Sequence, residues 1–357
     1  MTNKLSFFSG FDILLIGEKM QNIFNYKYDE LENFLLSINE KKYRTKQLYE
    51  WLYKHKIYEY SQMSNLSKEL INKLENNLSN KFIKIKEVIR EDEVNKYLFE
   101  LEDNQYVEAV LMKHGYGNSL CISSQVGCAN NCAFCESGKL PKVRNLESFE
   151  MVQQVLLIEE DLSIRVSSVV IMGIGEPFDN YDNVMKFIRI INSPHGLALG
   201  IRHITVSTCG IIPRILDFAR EDLQVNLAIS LHAPNDEIRN KIMPINKRYN
   251  VADLIKTIKE YSAITNRRIA IEYVILEGVN DSINLAKELA KLIKGMNVYV
   301  NLIPYNETSS EIYKRATKET QDKFFEALHQ EGIDVTVRRE FGSKINAACG
   351  QLRSERS

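Results

Sequence analysis

From about residue 118 onward the chain alternates short β-rich runs with helical segments, and that alternation most constrains what it can fold into. The runs are "LCISS" at 120–124, "VSSVVIM" at 166–172, "HITVST" at 203–208, "VNLAIS" at 225–230, "IAIEYVIL" at 269–276, "VYVNLI" at 298–303 and "IDVTVR" at 333–338. Between them, Glu150–Asp161, Tyr181–Ile191, Val251–Ile264, Ile283–Ile293 and Thr317–Gly332 place apolar residues at helical spacing. Strands separated by helix-length segments predict a parallel sheet with crossover helices, either open or a partial barrel. Ligands of such folds sit at the carboxyl ends of the strands, so the residues just past each run are the ones to inspect.

The segment before this region reads differently. Three stretches, "YDELENFLLSI", "YRTKQLYEWLYKH" and "LSKELINKLENNL", predict helices between about Lys27 and Leu78. The middle one is basic and aromatic: Lys41, Lys42, Arg44, Lys46, Lys54 and Lys56 are interleaved with Tyr43, Tyr49, Trp51 and Tyr53. That composition suits an RNA-binding surface and equally a solvated amphipathic helix. "NKYLFELEDNQYVEAVLMKH", with a turn at Asp103–Asn104, predicts a hairpin. The expected organisation is an unpatterned extension at 1–25, a helical accessory domain at 26–90, a hairpin linker at 91–118, an α/β core at 119–345 and a C-terminal segment at 346–357. The net charge of −1 points to no polyanionic partner by itself, so any nucleic-acid surface must be local. The apolar run Phe7–Ile16 is broken by Asp12 and too short to span a membrane, which makes a cytoplasmic location the expectation.

Three of the six cysteines, Cys128, Cys132 and Cys135, fall within eight residues in the loop after the first core strand. Such spacing suits metal binding better than disulfides. A structural zinc takes four closed ligands and an electron-carrier cluster four cysteines. Three thiolates leave one iron of a 4Fe–4S cluster open. The competing reading is a zinc- and RNA-binding protein without catalysis, its fourth ligand a distant His or Cys121.

The C-x3-C-x2-C string with Phe134 before the last cysteine resembles the radical S-adenosylmethionine (SAM) superfamily. "MGIGEPFDN" is similar to that superfamily's glycine–glutamate motif, which places Gly175 and Glu176 at the SAM amino group. The resemblance implies further SAM contacts at Ser207, at Ser230, Leu231 and His232, and at Asn306, each near a later strand end. It also implies a partial (β/α)6-type barrel.

The likeness is closer still to one family. "RTKQLYEWLY", "LCISSQVGC", "VSSVVIMGIGEPFDNYDNV", "RHITVSTCGIIP", "VNLAISLHAPNDEIR", "MPIN", "VNLIPYN" and "AACGQLR" resemble the RlmN family of radical SAM methyltransferases, in order, from about Tyr28 to Arg353. The family methylates carbon 2 of adenine in 23S ribosomal RNA and in some transfer RNAs. That carbon is too poor a nucleophile to attack SAM directly. By resemblance, Cys349 first takes a methyl group from one SAM, and reductive cleavage of a second SAM activates it. Cys121 resolves the resulting RNA–protein adduct through a transient disulfide with Cys349, and Glu108 accepts the substrate proton. An electron donor such as flavodoxin or ferredoxin is implied. Cys209 matches no functional position and reads as structural. The alternative within the group is Cfr-type methylation at carbon 8, against which Pro177 speaks. Two stretches depart from the family pattern: Glu136, Pro141 and Lys142 after the triad, and Lys344 and Asn346 before Cys349.

Overall fold

The structure, a computed structural model, describes residues 20–309, 312–339 and 341–353. Most of the expected 1–25 extension (residues 1–19), Glu340 and residues 354–357 therefore lie outside the described residues.

A single ten-stranded sheet organises the chain. Its strands are β1 (Lys84–Arg90), β2 (Val94–Glu100), β3 (Tyr106–His114), β4 (Gly117–Ile122), β5 (Ser168–Ile171), β6 (Ile204–Thr208), β7 (Asn226–Ser230), β8 (Ile269–Ile275), β9 (Val298–Pro304) and β10 (Val335–Val337). They lie side by side in chain order. Strands β4 to β10 are parallel, whereas β1 to β4 run antiparallel, so β4 belongs to both halves. The helices are α1 (Tyr28–Ser37), α2 (Tyr43–Tyr49), α3 (Lys68–Asn77), α4 (Ser148–Asp161), α5 (Tyr181–Asn192), α6 (Ile212–Ala219), α7 (Asp236–Ile242), α8 (Val251–Thr265), α9 (Ile283–Ile293) and α10 (Lys318–Gln330). This is the mixed α/β architecture that the alternating pattern predicts.

Burial explains the strand compositions. Every residue of β8 is buried, and a strand covered on both faces reads as a continuous apolar run. Two boundaries differ from expectation. β1 lies inside the stretch read as helical, because its side chains are mostly exposed and carry no clean alternation. β4 starts at Gly117, where "GNS" has little strand propensity; pairing with β3 and β5, Ser119 opposite Met112 and Ser168, imposes the extended form.

The N-terminal helices share one apolar core with the sheet. Asn25 Oδ1 accepts hydrogen bonds from Ser148 Oγ and Phe149 N at the start of α4. The aromatic residues of the basic stretch divide between core and surface. Tyr49 and Tyr53 are buried and pack against each other at 5.0 Å, with Phe24 beside Tyr53 at 5.7 Å, so neither ring is available to a nucleic-acid base. Trp51 donates to Asn65 Oδ1 (2.7 Å). Lys42 and Lys56 are paired with Glu32 (2.9 Å) and Glu159 (3.0 Å).

The segment Phe341–Arg353 crosses the antiparallel half of the sheet. There Ala347 and Leu352 pack in a separate small core with Val94, Val110, Cys121 and Ile174. Among the described residues no helix is long and apolar enough to cross a membrane.

Candidate active site

The loop after β4 is closed at its base by two-residue strands, Gln125–Val126 pairing with Arg144–Asn145. Within it, Cys135 N donates to Cys132 O (3.1 Å), and Ala133 N donates to Ile242 O of α7 (2.9 Å). Cys128, Cys132 and Cys135 all face one cavity of ≈ 160 Å³ at the carboxyl ends of the parallel strands. Burial pushes all three thiols up, Cys128 to about 11, and the neighbouring sulfurs push Cys132 further. Left alone they are protonated; a bound metal centre reverses that, since a coordinating thiol is deprotonated. Among the described residues no three His, Cys, Asp or Glu side chains stand close enough to share one metal ion. Three soft thiol donors around a cavity suit an iron–sulfur cluster with an open corner better than a four-ligand zinc site.

The motif after β5 shapes the opposite wall. Gly175 has φ +108°, and a Cβ there would stand 2.6 Å from Gln125 Cβ, so only glycine fits. Gln125 Oε1 in turn accepts from Glu176 N (2.8 Å). The buried Glu176 carboxylate accepts from Phe178 N (3.0 Å) and Cys209 N (2.8 Å), while burial raises its pKa. Ser207, Ser230, His232 and Asn306 line the same cavity. His232 accepts from Val274 N through Nδ1 (3.0 Å) and is pushed down to about 3 by burial, so its ring is neutral. Asn306 Oδ1 is buried without a hydrogen-bond partner. A buried orphan acceptor costs free energy, and a polar ligand group would satisfy it. These groups fit SAM. Leu231 is fully buried and absent from the cavity wall; its N–H donates to Glu272 O (3.2 Å).

Cys349 is exposed and lines two cavities, that of the triad and a larger one of ≈ 670 Å³ that also contains Cys121. Cys349 O accepts from Asn306 Nδ2 (3.2 Å), which ties the segment to the end of β9. Burial, with Cys349 nearby, pushes Cys121 up to about 12. Both cysteines are free, so the expected disulfide is not formed in this structure. Glu108 is not brought to either cavity. It lines a third space of ≈ 790 Å³ together with Ile345, Asn346 and Gln351 of the C-terminal segment. Its carboxylate pairs with Lys96 (2.8 Å) and accepts from Arg353 N (2.7 Å).

Several residues at the site carried no usable signal in the sequence. In the sequence Arg338 is only one of two adjacent arginines, with Arg339. It donates to Cys349 Sγ (3.2 Å) and Met172 Sδ (3.3 Å) and lies 3.8 Å from Glu272. Arg239 is fully buried, and its guanidinium spends every N–H on neutral oxygens, among them Cys209 O, Ser230 O and Leu231 O. Cys209, read as structural, lines the triad cavity beside Glu176. The departure at Glu136 also has a structural role: its buried carboxylate accepts from Ser309 N (2.5 Å) and Lys139 Nζ (2.8 Å), and its own N–H donates to Gly350 O (2.7 Å). Glu136 thus joins the cysteine loop to the loop after β9 and to the segment carrying Cys349.

Comparison with known proteins agrees with this geometry. Residues 122–289 match the Radical SAM superfamily, and residues 21–79 match the ribosomal RNA large subunit methyltransferase N-terminal domain. The chain is 50% identical over 336 residues to a probable dual-specificity RNA methyltransferase RlmN of Acholeplasma laidlawii, covering 93% of this chain and 99% of that one. It is also 50% identical, over 342 residues, to its counterpart in Spiroplasma citri, with coverages of 94% and 98%. The crystal structure of a radical SAM methyltransferase from Sphaerobacter thermophilus superposes with a TM-score of 0.90 at 39% identity, covering 94% of this chain and all 100% of the other. Radical SAM membership implies a 4Fe–4S cluster and SAM as cofactors, for which the three thiols and the strand-end polar groups are the fitting residues. With residues 21–79 and 122–289 matched by the two family models and half of the aligned residues identical to those relatives, the chain belongs to the RlmN family of radical SAM RNA methyltransferases.

Proposed function

We propose that this enzyme methylates carbon 2 of an adenine in the peptidyl-transferase region of 23S ribosomal RNA, and of an adenine next to the anticodon in transfer RNA. The methyl group travels on Cys349, and each turnover consumes two SAM molecules. One observation carries the reading: Cys349 lines the triad cavity and the larger cavity at once. A methyl carrier must meet SAM on one side and the RNA base on the other, and a sulfur at the junction does both.

The cluster and SAM, when bound, supply a hydrogen-abstracting radical. The chain's own groups do the rest. Cys128, Cys132 and Cys135 would hold the cluster, and Glu176, Ser207, Ser230, His232 and Asn306 would orient SAM. Cys349 accepts a methyl group by displacement at the sulfonium and then presents it to the adenine. Arg338 fixes the Cys349 sulfur at 3.2 Å. The Cys121 thiolate attacks the Cys349 sulfur and displaces the transferred carbon, whose bonding pair takes up a proton to complete the methyl group; the Cys121–Cys349 disulfide left behind must be reduced before the next cycle. Glu108 takes the proton from the substrate carbon. In that role it needs the C-terminal segment to move, because Lys96 and Arg353 N–H now occupy its carboxylate. The electron donor is a small reductant protein such as flavodoxin or ferredoxin, and the reaction takes place in the cytoplasm.

The test is nucleoside mass spectrometry of ribosomal and transfer RNA from cells lacking the gene, complemented with wild type or Cys349→Ala. Wild type restores 2-methyladenosine in both RNAs and the variant restores none. Appearance of 8-methyladenosine would replace the carbon-2 reading, and methylation by Cys349→Ala would remove the carrier role.

A further inference from the structure

The larger cavity opens beside the turn between β3 and β4, and the tip of that turn carries Tyr116. Its side chain is 80% exposed, the most exposed large apolar group among the described residues. Gly115 and Gly117 flank it. Gly117 has φ +137°, and a Cβ there would stand 2.4 Å from Ser167 Oγ, so the turn reaches the cavity rim only with glycine at that position. The ring is not left loose. His114 stacks on its inner face at 4.6 Å with an interplanar angle of 11°, and Phe341 of the C-terminal segment buttresses His114 edge-on at 4.7 Å. Burial and the nearby Arg339 depress the His114 pKa, which favours the neutral ring. One face of Tyr116 is therefore backed by an aromatic pair, and the other faces solvent at the cavity mouth.

An adenine whose ring carbon is to be reached must leave its stack, and its departure strips one face of the adjacent base. An exposed ring at the entrance of the cavity into which the adenine goes can take over that face. The rim adds a cation: exposed Arg202 lines the cavity, while Arg339 is balanced by Glu93 at 2.7 Å. We infer that Tyr116, backed by His114, is the stacking platform for the unpaired base next to the target adenine, an inference that rests on the RNA-methylating function proposed above. A single exposed ring with an arginine on the same rim matches a nucleobase and its phosphate; a protein partner needs a contiguous apolar patch.

The experiment uses the reconstituted holoenzyme and a short RNA hairpin containing the target adenine, with 2-aminopurine placed on either side in separate oligonucleotides. Wild type quenches the fluorescence of one neighbour as it stacks. Tyr116→Ala abolishes that quenching and raises KM for RNA about tenfold, more than it changes kcat. Tyr116→Trp restores both, since any flat ring serves. Iron content and circular dichroism verify that each variant is folded, and removing a side chain this exposed opens no cavity in the core. Quenching unchanged in Tyr116→Ala, with KM shifted by less than about twofold, overturns the platform. Self-association of wild type that Tyr116→Ala abolishes, with no effect on RNA, assigns the ring to a second copy of the chain instead. Wild type that transfers no methyl to any RNA refutes the underlying function, an outcome distinct from failure of the platform alone.

Discussion

The two halves of the sheet build their parts of the site in different ways. The parallel half, β4 to β10, contributes from strand ends: the cysteine loop after β4, Gly175–Glu176 after β5, Ser207 near the end of β6, Ser230 at the end of β7 and Asn306 after β9. Parallel strands all deliver their carboxyl ends to one edge, so groups far apart in sequence converge there without long loops. The antiparallel half contributes from within strands, Glu108 in β3 and Cys121 in β4, both on the face under the C-terminal segment. There the strand registry, Val110 opposite Cys121, and the covering segment decide what meets what. In the proposed function the first half is a cofactor cradle fixed by topology, and the second is a chemistry face whose contacts depend on one short covering segment.

Substitutions can break that contrast in order of expected effect. Cys132→Ala removes one of three ligands and should abolish iron binding; iron content near zero and loss of the brown absorption are the measurements, and full iron content would refute its ligand role. Gly175→Ala forces a side chain into a left-handed conformation and against Gln125, a loss of about 1–3 kcal/mol, read by denaturant unfolding, with weaker SAM binding by calorimetry. On the antiparallel side, Cys121→Ala should leave iron content normal yet trap a covalent RNA–protein adduct, seen as a slow band on a denaturing gel; no band at any time point would exclude the resolving role.

The smallest effect is a pH dependence at Glu108. Burial, opposed by Lys96, raises its pKa in the folded protein. A raised carboxyl binds its proton more tightly folded than unfolded, so its stabilising contribution is present below the unfolded value and fades as pH rises through the folded one. Thermal melts of Glu108→Gln and wild type from acid to neutral pH should show the variant gaining on wild type as pH increases. A constant difference would mean that Glu108 titrates as a free carboxylate.

The match between pattern and structure was uneven for physical reasons. Ile283–Ile293 and the β8 run are legible because a helix with one apolar stripe and a strand buried on both faces each leave a period in the sequence. Helix α7, seven residues long, is too short to leave one. The buried tyrosines 49 and 53 look like a base-stacking set in a row of lysines, because sequence records which side chains alternate but not which face turns inward.

By itself, the sequence determined the chemistry on offer: three thiols at cluster spacing, a glycine–glutamate turn one strand later, and a cysteine near the C-terminus. Local spacing dictates those features, so they need no fold to be recognised. Only the tertiary structure decided that Cys349 stands where two cavities meet, that Arg338 reaches its sulfur, and that Glu108 lies behind the C-terminal segment in a third space. Packing and registry set those contacts, across 11 positions for Arg338 and Cys349 and across 245 for Glu108 and Arg353, not any pattern along the backbone.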